Sequence, residues 1–363
     1  MQKASHDAVS HDSALFMGKT RVFKGGLSGS RSAGHDALAA LSSVPIFAAW
    51  IAFALSAGGL PAHAAVPGAK SGDFPADFGT QGWGQKSFTE RLLAVTNLWL
   101  GRPYVLGGLG EGAEGRYDRD PLFRFDSFDC TTFVETAMSA AMSHSEAEFL
   151  PTILGIRYDH SQVDFVSRNH FTEIDWIPNT IRDGFFEDIT SPLAGRFVLA
   201  DAVATIDKRG WYRKLGLGDI QGPGFDAATR AALLPQLHAE GDPFEPVVNH
   251  LPYIPFTTFL AAGSNTLTSG STTRLDPALI AALPDVAVVN FVRPGWNLVA
   301  QAGTQLNISH QGLFIKHDGE AYLRHASSDS RHRVVEDRLI DYIQRNLSSP
   351  TLKGLFLLGV VKH

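Results

Sequence analysis

A single cysteine in 363 residues excludes any intramolecular disulfide and the paired-cysteine spacing of zinc ribbons and redox motifs, so stability has to come from packing. Positive charge is also short. The formal net charge is −6, and no Lys/Arg cluster interleaved with aromatics offsets it locally, which excludes the electrostatic footprint of a nucleic-acid binder. No His-Glu-x-x-His pair occurs, and no internal repeat is visible. What is present is an ordinary globular composition, 44% hydrophobic, 10% aromatic and 19% charged, long enough for one large domain or two small ones.

The first stretch is not expected to belong to the fold. Residues 1–43 are rich in Ser, Gly and His with scattered basic residues (Lys19, Arg21, Lys24, Arg31), and an apolar run over 44–60 ends in Pro61-Ala62-His63-Ala64. A basic flank, an apolar run and small residues before a cleavage point describe a secretory signal, cut after Ala64. Met17 would make a more ordinary start than Met1. Pro45, Ser56, Gly58 and Gly59 inside the run, with no charged stop-transfer cluster after it, argue against a membrane anchor, and the absence of a following cysteine excludes lipoprotein anchoring. The expectation is an exported protein, periplasmic or extracellular, with no stable membrane insertion after cleavage. A flexible lead is expected over 65–85 and a single domain over 86–363.

Within that domain, Leu92, Leu93, Val95, Leu98 and Trp99 have helical spacing over 88–100. Val134, Met138, Ala141 and Met142 suit a second buried helical face over 131–143, with Cys130 at its beginning. Residues 150–285 mix polar loops, several prolines and one helix near 226–240, and read as a large insertion. Short β-type runs then follow at 286–292, 308–316, 321–325 and 355–361, with a helix over 336–347 before the last. His317-Asp318-Gly319-Glu320 is a turn signal between two of the strands.

Cys130 is the natural candidate nucleophile. At a helix N-terminus the unpaired N–H groups and the macrodipole favour a thiolate; the plain alternative is a buried structural cysteine. A hairpin centred on Asp318-Gly319 sets His325 opposite Gly312 and His310 opposite Ser327, which puts both imidazoles on one sheet face. One could take the thiol proton while the other fixes its tautomer, and Gly312 leaves space beside them. A zinc site built from His310, His325 and a carboxylate is the competing reading.

Phe128-Asp129-Cys130-Thr131-Thr132-Phe133-Val134-Glu135, followed by Ser309-His310-Gln311-Gly312 and Leu323-Arg324-His325-Ala326-Ser327, resembles the NlpC-type papain-like cysteine hydrolases of bacterial cell walls. The nearer resemblance is to their N-acetylmuramoyl-L-alanine amidase-like branch. Trp99-Leu100-Gly101-Arg102-Pro103-Tyr104, Arg157-Tyr158, Asp164-Phe165, Ser167-Arg168-Asn169-His170 and Tyr253-Ile254-Pro255 extend it over about residues 90–361. The chain departs from the pattern at 285–291, where relatives carry a Gly-Asp pair, and at Asn169, where an apolar residue is usual.

The resemblance implies an α+β fold in which the helix bearing Cys130 packs on an antiparallel sheet bearing His310 and His325. It implies Cys130 as nucleophile, His310 as general base and His325 as its orienter, with no metal and no cofactor. Tyr104, Asp129, Thr131, Arg157, Arg168, His170, Trp176 and Gly312 are the expected substrate-binding positions; the two arginines would suit a lactyl or peptide carboxylate, with solvated or internally salt-bridged arginines as the equal alternative, and Trp176, Trp99 and Phe171 are either sugar platforms or core. The implied partner is peptidoglycan or a muropeptide, cut between N-acetylmuramic acid and L-alanine. Endopeptidase cleavage after D-glutamate and a catalytically silent wall-binding module are the alternatives.

Overall fold

The computed structural model describes residues 74–263 and 273–361; the apolar run over 44–60 and the Ala62 and Ala64 cleavage signal lie outside them. In chain order the helices are α1 (Gln81–Gln85), α2 (Phe88–Trp99), α3 (Cys130–Met142), α4 (Glu146–Arg157), α5 (Ile177–Arg182), α6 (Lys208–Tyr212), α7 (Ala227–Glu240), α8 (Pro277–Ala282), α9 (Val299–Ala302) and α10 (Leu339–Asn346). The strands are β1 (Phe186–Asp188), β2 (Ala200–Ile206), β3 (Val247–Pro255), β4 (Val286–Leu298), β5 (Thr304–His317), β6 (Glu320–Ser327), β7 (Arg333–Arg338) and β8 (Gly354–Val360). They form one antiparallel sheet in the order β2-β3-β8-β4-β5-β6-β7, and β1 pairs with β8. Among the described residues no helix is long and apolar enough to cross a membrane.

The central strands read as unbroken apolar runs because both of their faces are covered. Val286, Val288 and Val292 of β4 share a core with Leu92, Phe133, Met138 and Ile153 of α2, α3 and α4. Ala287, Val289 and Phe291, which alternate with them, pack instead with Leu279 of α8 and Leu339 and Ile343 of α10. β8 divides in the same way, with Phe356 and Leu358 on the first side and Leu355 and Leu357 on the second.

Helix starts follow local chemistry. Ser87 and Glu90 form a reciprocal capping box ahead of α2, and Asp129 and Thr132 form another ahead of α3. The hairpin turn places Asp318 at φ 52° and Gly319 at φ 76°, the left-handed pair that an Asp-Gly loop supplies. β5 and β6 pair in the expected register, Leu313 opposite Arg324 through His317 opposite Glu320.

Three expectations need correction. The lead is packed from Phe74 onward: the Phe74 ring stacks on Phe78, and Trp83 is fully buried with its Nε1–H donating to the Ser143 carbonyl. The 150–285 stretch, expected to hold polar loops and one helix, also supplies β1, β2 and β3 to the sheet. β2 escapes notice because its buried positions, Ala202, Ala204 and Ile206, are mostly small. The helix expected over 336–347 begins at Leu339, because residues 333–338 are held as β7 by pairing with β6.

Candidate active site

Phe128 fixes the entry to α3. Its ring lies 5.2 Å from Trp99 and 5.7 Å from Phe133, and its backbone bonds to Pro103 and Val105 on either side of Tyr104. The next residue, Asp129, accepts from the Thr132 N–H at 2.8 Å and the Gly107 N–H at 3.3 Å. Asp129 is thus the helix cap, and Cys130 is the first residue of the helix.

Cys130 stands against β5. The last ladder pair between β5 and β6 is Leu313 with Arg324, and beyond it the main-chain N–H of Gln311, the residue after His310, donates to the Cys130 thiol. The thiol lies 3.9 Å from the Thr131 hydroxyl. Burial pushes the thiol up to about 12, and the Asp129 carboxylate adds to the rise against the opposing bonds from Gln311 and Thr131. Burial thus opposes the thiolate that a helix N-terminus would favour. Tyr104 is half-buried, and its hydroxyl is raised well above its ordinary range by burial and then by Cys130 and Asp129, so it stays protonated and can donate.

Both histidines meet as the hairpin register requires. Nε2 of His310 lies 2.8 Å from Nδ1 of His325. Burial, then the neighbouring His325 and Arg293, hold His310 well below its ordinary value, so the imidazole rests neutral. His310 and Cys130 each keep 9% of their surface exposed and His325 only 3%, so the first two can meet a substrate and the third cannot. A Cβ at Gly312 would sit 2.9 Å from that of His325, which is why this position has no side chain. The two ring nitrogens face one another too closely to share a zinc ion, whose bonds to nitrogen are about 2.0–2.1 Å each. Among the described residues no three His, Cys, Asp or Glu side chains are grouped as metal ligands.

Two residues absent from the sequence reading complete the row. Asp337 of β7 lies across from Leu323, two residues along from Val335, the partner of His325. Its Oδ2 is 3.4 Å from His325 Nε2. Arg331 holds the same carboxylate with two bonds of 2.8 and 2.9 Å.

Four expected binding residues are elsewhere. Arg157 is buried in an ion pair with Glu135 at 2.8 Å and donates to the Leu109 carbonyl. Arg168, also buried, is held by Glu111 and by Asp118 at 2.9 Å. Arg157 thus joins the Leu109 carbonyl to Glu135 inside α3, and Arg168 joins Glu111 to Asp118. Trp176 is fully buried, its indole N–H donating to Glu135. His170 is buried beside Trp211, with Nε2 at 2.7 Å from the Phe165 carbonyl. Phe171 and Trp99 are core residues as well. Tyr104, Asp129, Thr131 and Gly312 do surround the thiol and the histidines, Asp129 as cap.

Residues 94–349 match the family described as N-acetylmuramoyl-L-alanine amidase-like. Among solved structures, a Legionella pneumophila protein shares 34% identity over 77% of this chain and 90% of its own, with a TM-score of 0.70. An N-acetylmuramoyl-L-alanine amidase from Bacteroides uniformis is similar in fold, with a TM-score of 0.52 and 21% identity over 75% of this chain and 98% of its own. No curated protein matches.

Proposed function

This chain belongs to the N-acetylmuramoyl-L-alanine amidase-like family, and from that premise we propose that it is an exported cysteine hydrolase that cuts the amide between the lactyl group of N-acetylmuramic acid and L-alanine. The observation that carries the reading is the placement of Cys130, first residue of α3, against the Gln311 N–H, next in chain to a histidine pair joined at 2.8 Å. A helix-borne thiol preceding an antiparallel sheet with two histidines also supports a papain-like core of the NlpC type.

In the proposed reaction the Cys130 thiol gives its proton to His310 as sulfur attacks the amide carbon. The main-chain N–H of Cys130 and the Tyr104 hydroxyl are the donors available to the oxyanion. Collapse of the tetrahedral intermediate breaks the C–N bond, His310 returns the proton to the departing L-alanine nitrogen, and a thioester remains on Cys130. Water, deprotonated by His310, then releases the lactyl carboxylate and regenerates the thiol. Because the resting thiol and imidazole are both neutral, proton transfer belongs to the attack step instead of preceding it.

Mass spectrometry of products from purified muropeptides tests the bond. A free N-terminal L-alanine peptide supports the amidase reading; cleavage after D-glutamate refutes it in favour of the endopeptidase. Cys130→Ala is expected to abolish either activity while the fold persists.

A further inference from the structure

We propose that Asp337 is a positioning residue that fixes the tautomers of both histidines and thereby assigns proton uptake from Cys130 to Nδ1 of His310. The inference rests on the reading of Cys130 as nucleophile and His310 as its base.

The argument runs along a row of hydrogen bonds. Burial alone would raise the Asp337 carboxyl, but hydrogen bonds from His325 and Arg331 hold it well below the usual carboxylate range. It is therefore an anion at neutral pH, and an ionised carboxylate only accepts. The hydrogen between it and His325 must then sit on His325 Nε2. In the tautomer the proposal assigns to His325, the lone pair lies on Nδ1. The 2.8 Å contact across to His310 needs one hydrogen, and only His310 Nε2 can supply it. A neutral His310 so protonated keeps its lone pair on Nδ1. With the carboxylate gone, both rings could reverse together, and His310 would then present an N–H where a base is required.

The carboxylate is itself immobilised. Arg331 bonds both of its oxygens while also holding Asp329 at 2.7 Å, and Arg345 of α10 approaches at 3.2 Å. Other charged or titratable groups face the pair. Arg293 of β4 lowers His310 and Asp329 raises it, while Tyr342 of α10 meets the His325 ring edge-on at 5.9 Å. Cys130 and Tyr104 stand on the substrate side. Among these, Asp337 is the anion bonded to the His325 ring, so it alone dictates the direction of the row.

The first test needs no substitution. Nitrogen NMR of the full chain with labelled histidine, near neutral pH, is expected to show His310 and His325 both as Nε2–H tautomers; an Nδ1–H signal from either ring overturns the inference. The second uses Asp337→Asn, whose amide can donate, with Asp337→Glu as the conservative variant. Asp337→Asn is expected to lower kcat about 10- to 10³-fold with KM little changed, and Asp337→Glu to recover part of the loss. Alkylation of Cys130 by iodoacetamide should slow in parallel. Alkylation at the wild-type rate with unchanged tautomers refutes the role of Asp337 while leaving the amidase reading intact. If the wild type cuts no muropeptide bond yet Asp337→Asn still slows alkylation and reverses the tautomers, the row stands and the amidase reading falls. Should Asp337→Asn fail to fold, the wild-type tautomers decide.

Discussion

Replacing Cys130 by alanine should change how stability depends on pH, in a direction set by the burial of the thiol. In the folded protein the thiol titrates at about 12, against an ordinary value of 9.0 that holds for the unfolded chain. Between those two values the unfolded chain releases a proton that the folded protein keeps, so folding stability falls as pH rises. The contribution is full below 9.0 and lost as pH climbs toward about 12. At ~1.4 kcal/mol for each pH unit the whole window is worth about 4 kcal/mol, and the first unit and a half about 2 kcal/mol. Cys130→Ala removes the titrating group and hence this loss. Tyrosines and lysines ionise in the same range in both proteins, so the difference between the two curves isolates the thiol. Urea unfolding of wild type and Cys130→Ala at intervals from about pH 8 to about pH 11 measures it. The variant should gain on the wild type above about pH 9. Parallel curves would mean that the thiol ionises as readily inside the protein as outside, and the neutral resting pair proposed for catalysis would be wrong.

The histidines should separate by role. His310→Ala is expected to lose about 10²- to 10⁴-fold in kcat, with His325→Ala intermediate and His325→Asn or His325→Gln mildest, because an amide still accepts from His310 Nε2; equal activity of His325→Ala and wild type in a muropeptide assay would remove His325 from the mechanism. Arg157→Met should leave the buried Glu135 carboxylate without its 2.8 Å partner and cost about 3–5 kcal/mol in denaturant unfolding. Its KM should change little, whereas a large rise in KM at unchanged stability would restore Arg157 as a substrate contact. N-terminal sequencing of exported material is expected to begin at Ala65, and an intact N-terminus recovered with membranes would point to an anchor.

How much of this was legible in the sequence divides along the range of the interactions involved. The α3 start, the Asp318-Gly319 turn and the β5–β6 register are fixed by neighbours in sequence: a cap three residues from its partner, two left-handed residues, and a period of two counted back from the turn. Those local rules sufficed to bring His310 and His325 onto one face. The binding residues expected at Arg157, Arg168 and Trp176 failed for the opposite reason. Their partners, Glu135, Glu111 and Asp118, lie 22 to 57 residues away, and nothing local distinguishes a guanidinium already paired in the core from one waiting for a ligand.

Asp337 was hidden by a single error of period. Read as part of a helix over 336–347, Glu336-Asp337-Arg338 is an acidic first turn with its side chains facing solvent. Read as β7, the same residues alternate across a sheet, and the pairing of Val335 with His325 sets Asp337 diagonally beside the imidazole. What decides between the two is the partner strand. β7 is held at the edge of the sheet by β6 on one side and by Arg102 and Pro103 at its start, contacts that no local pattern announces. The same contacts tie the loop before Tyr104 to the strand bearing Asp337, so both ends of the row from carboxylate to thiol hang on one piece of edge pairing. Loosening that edge should therefore disturb the thiol and the histidines together.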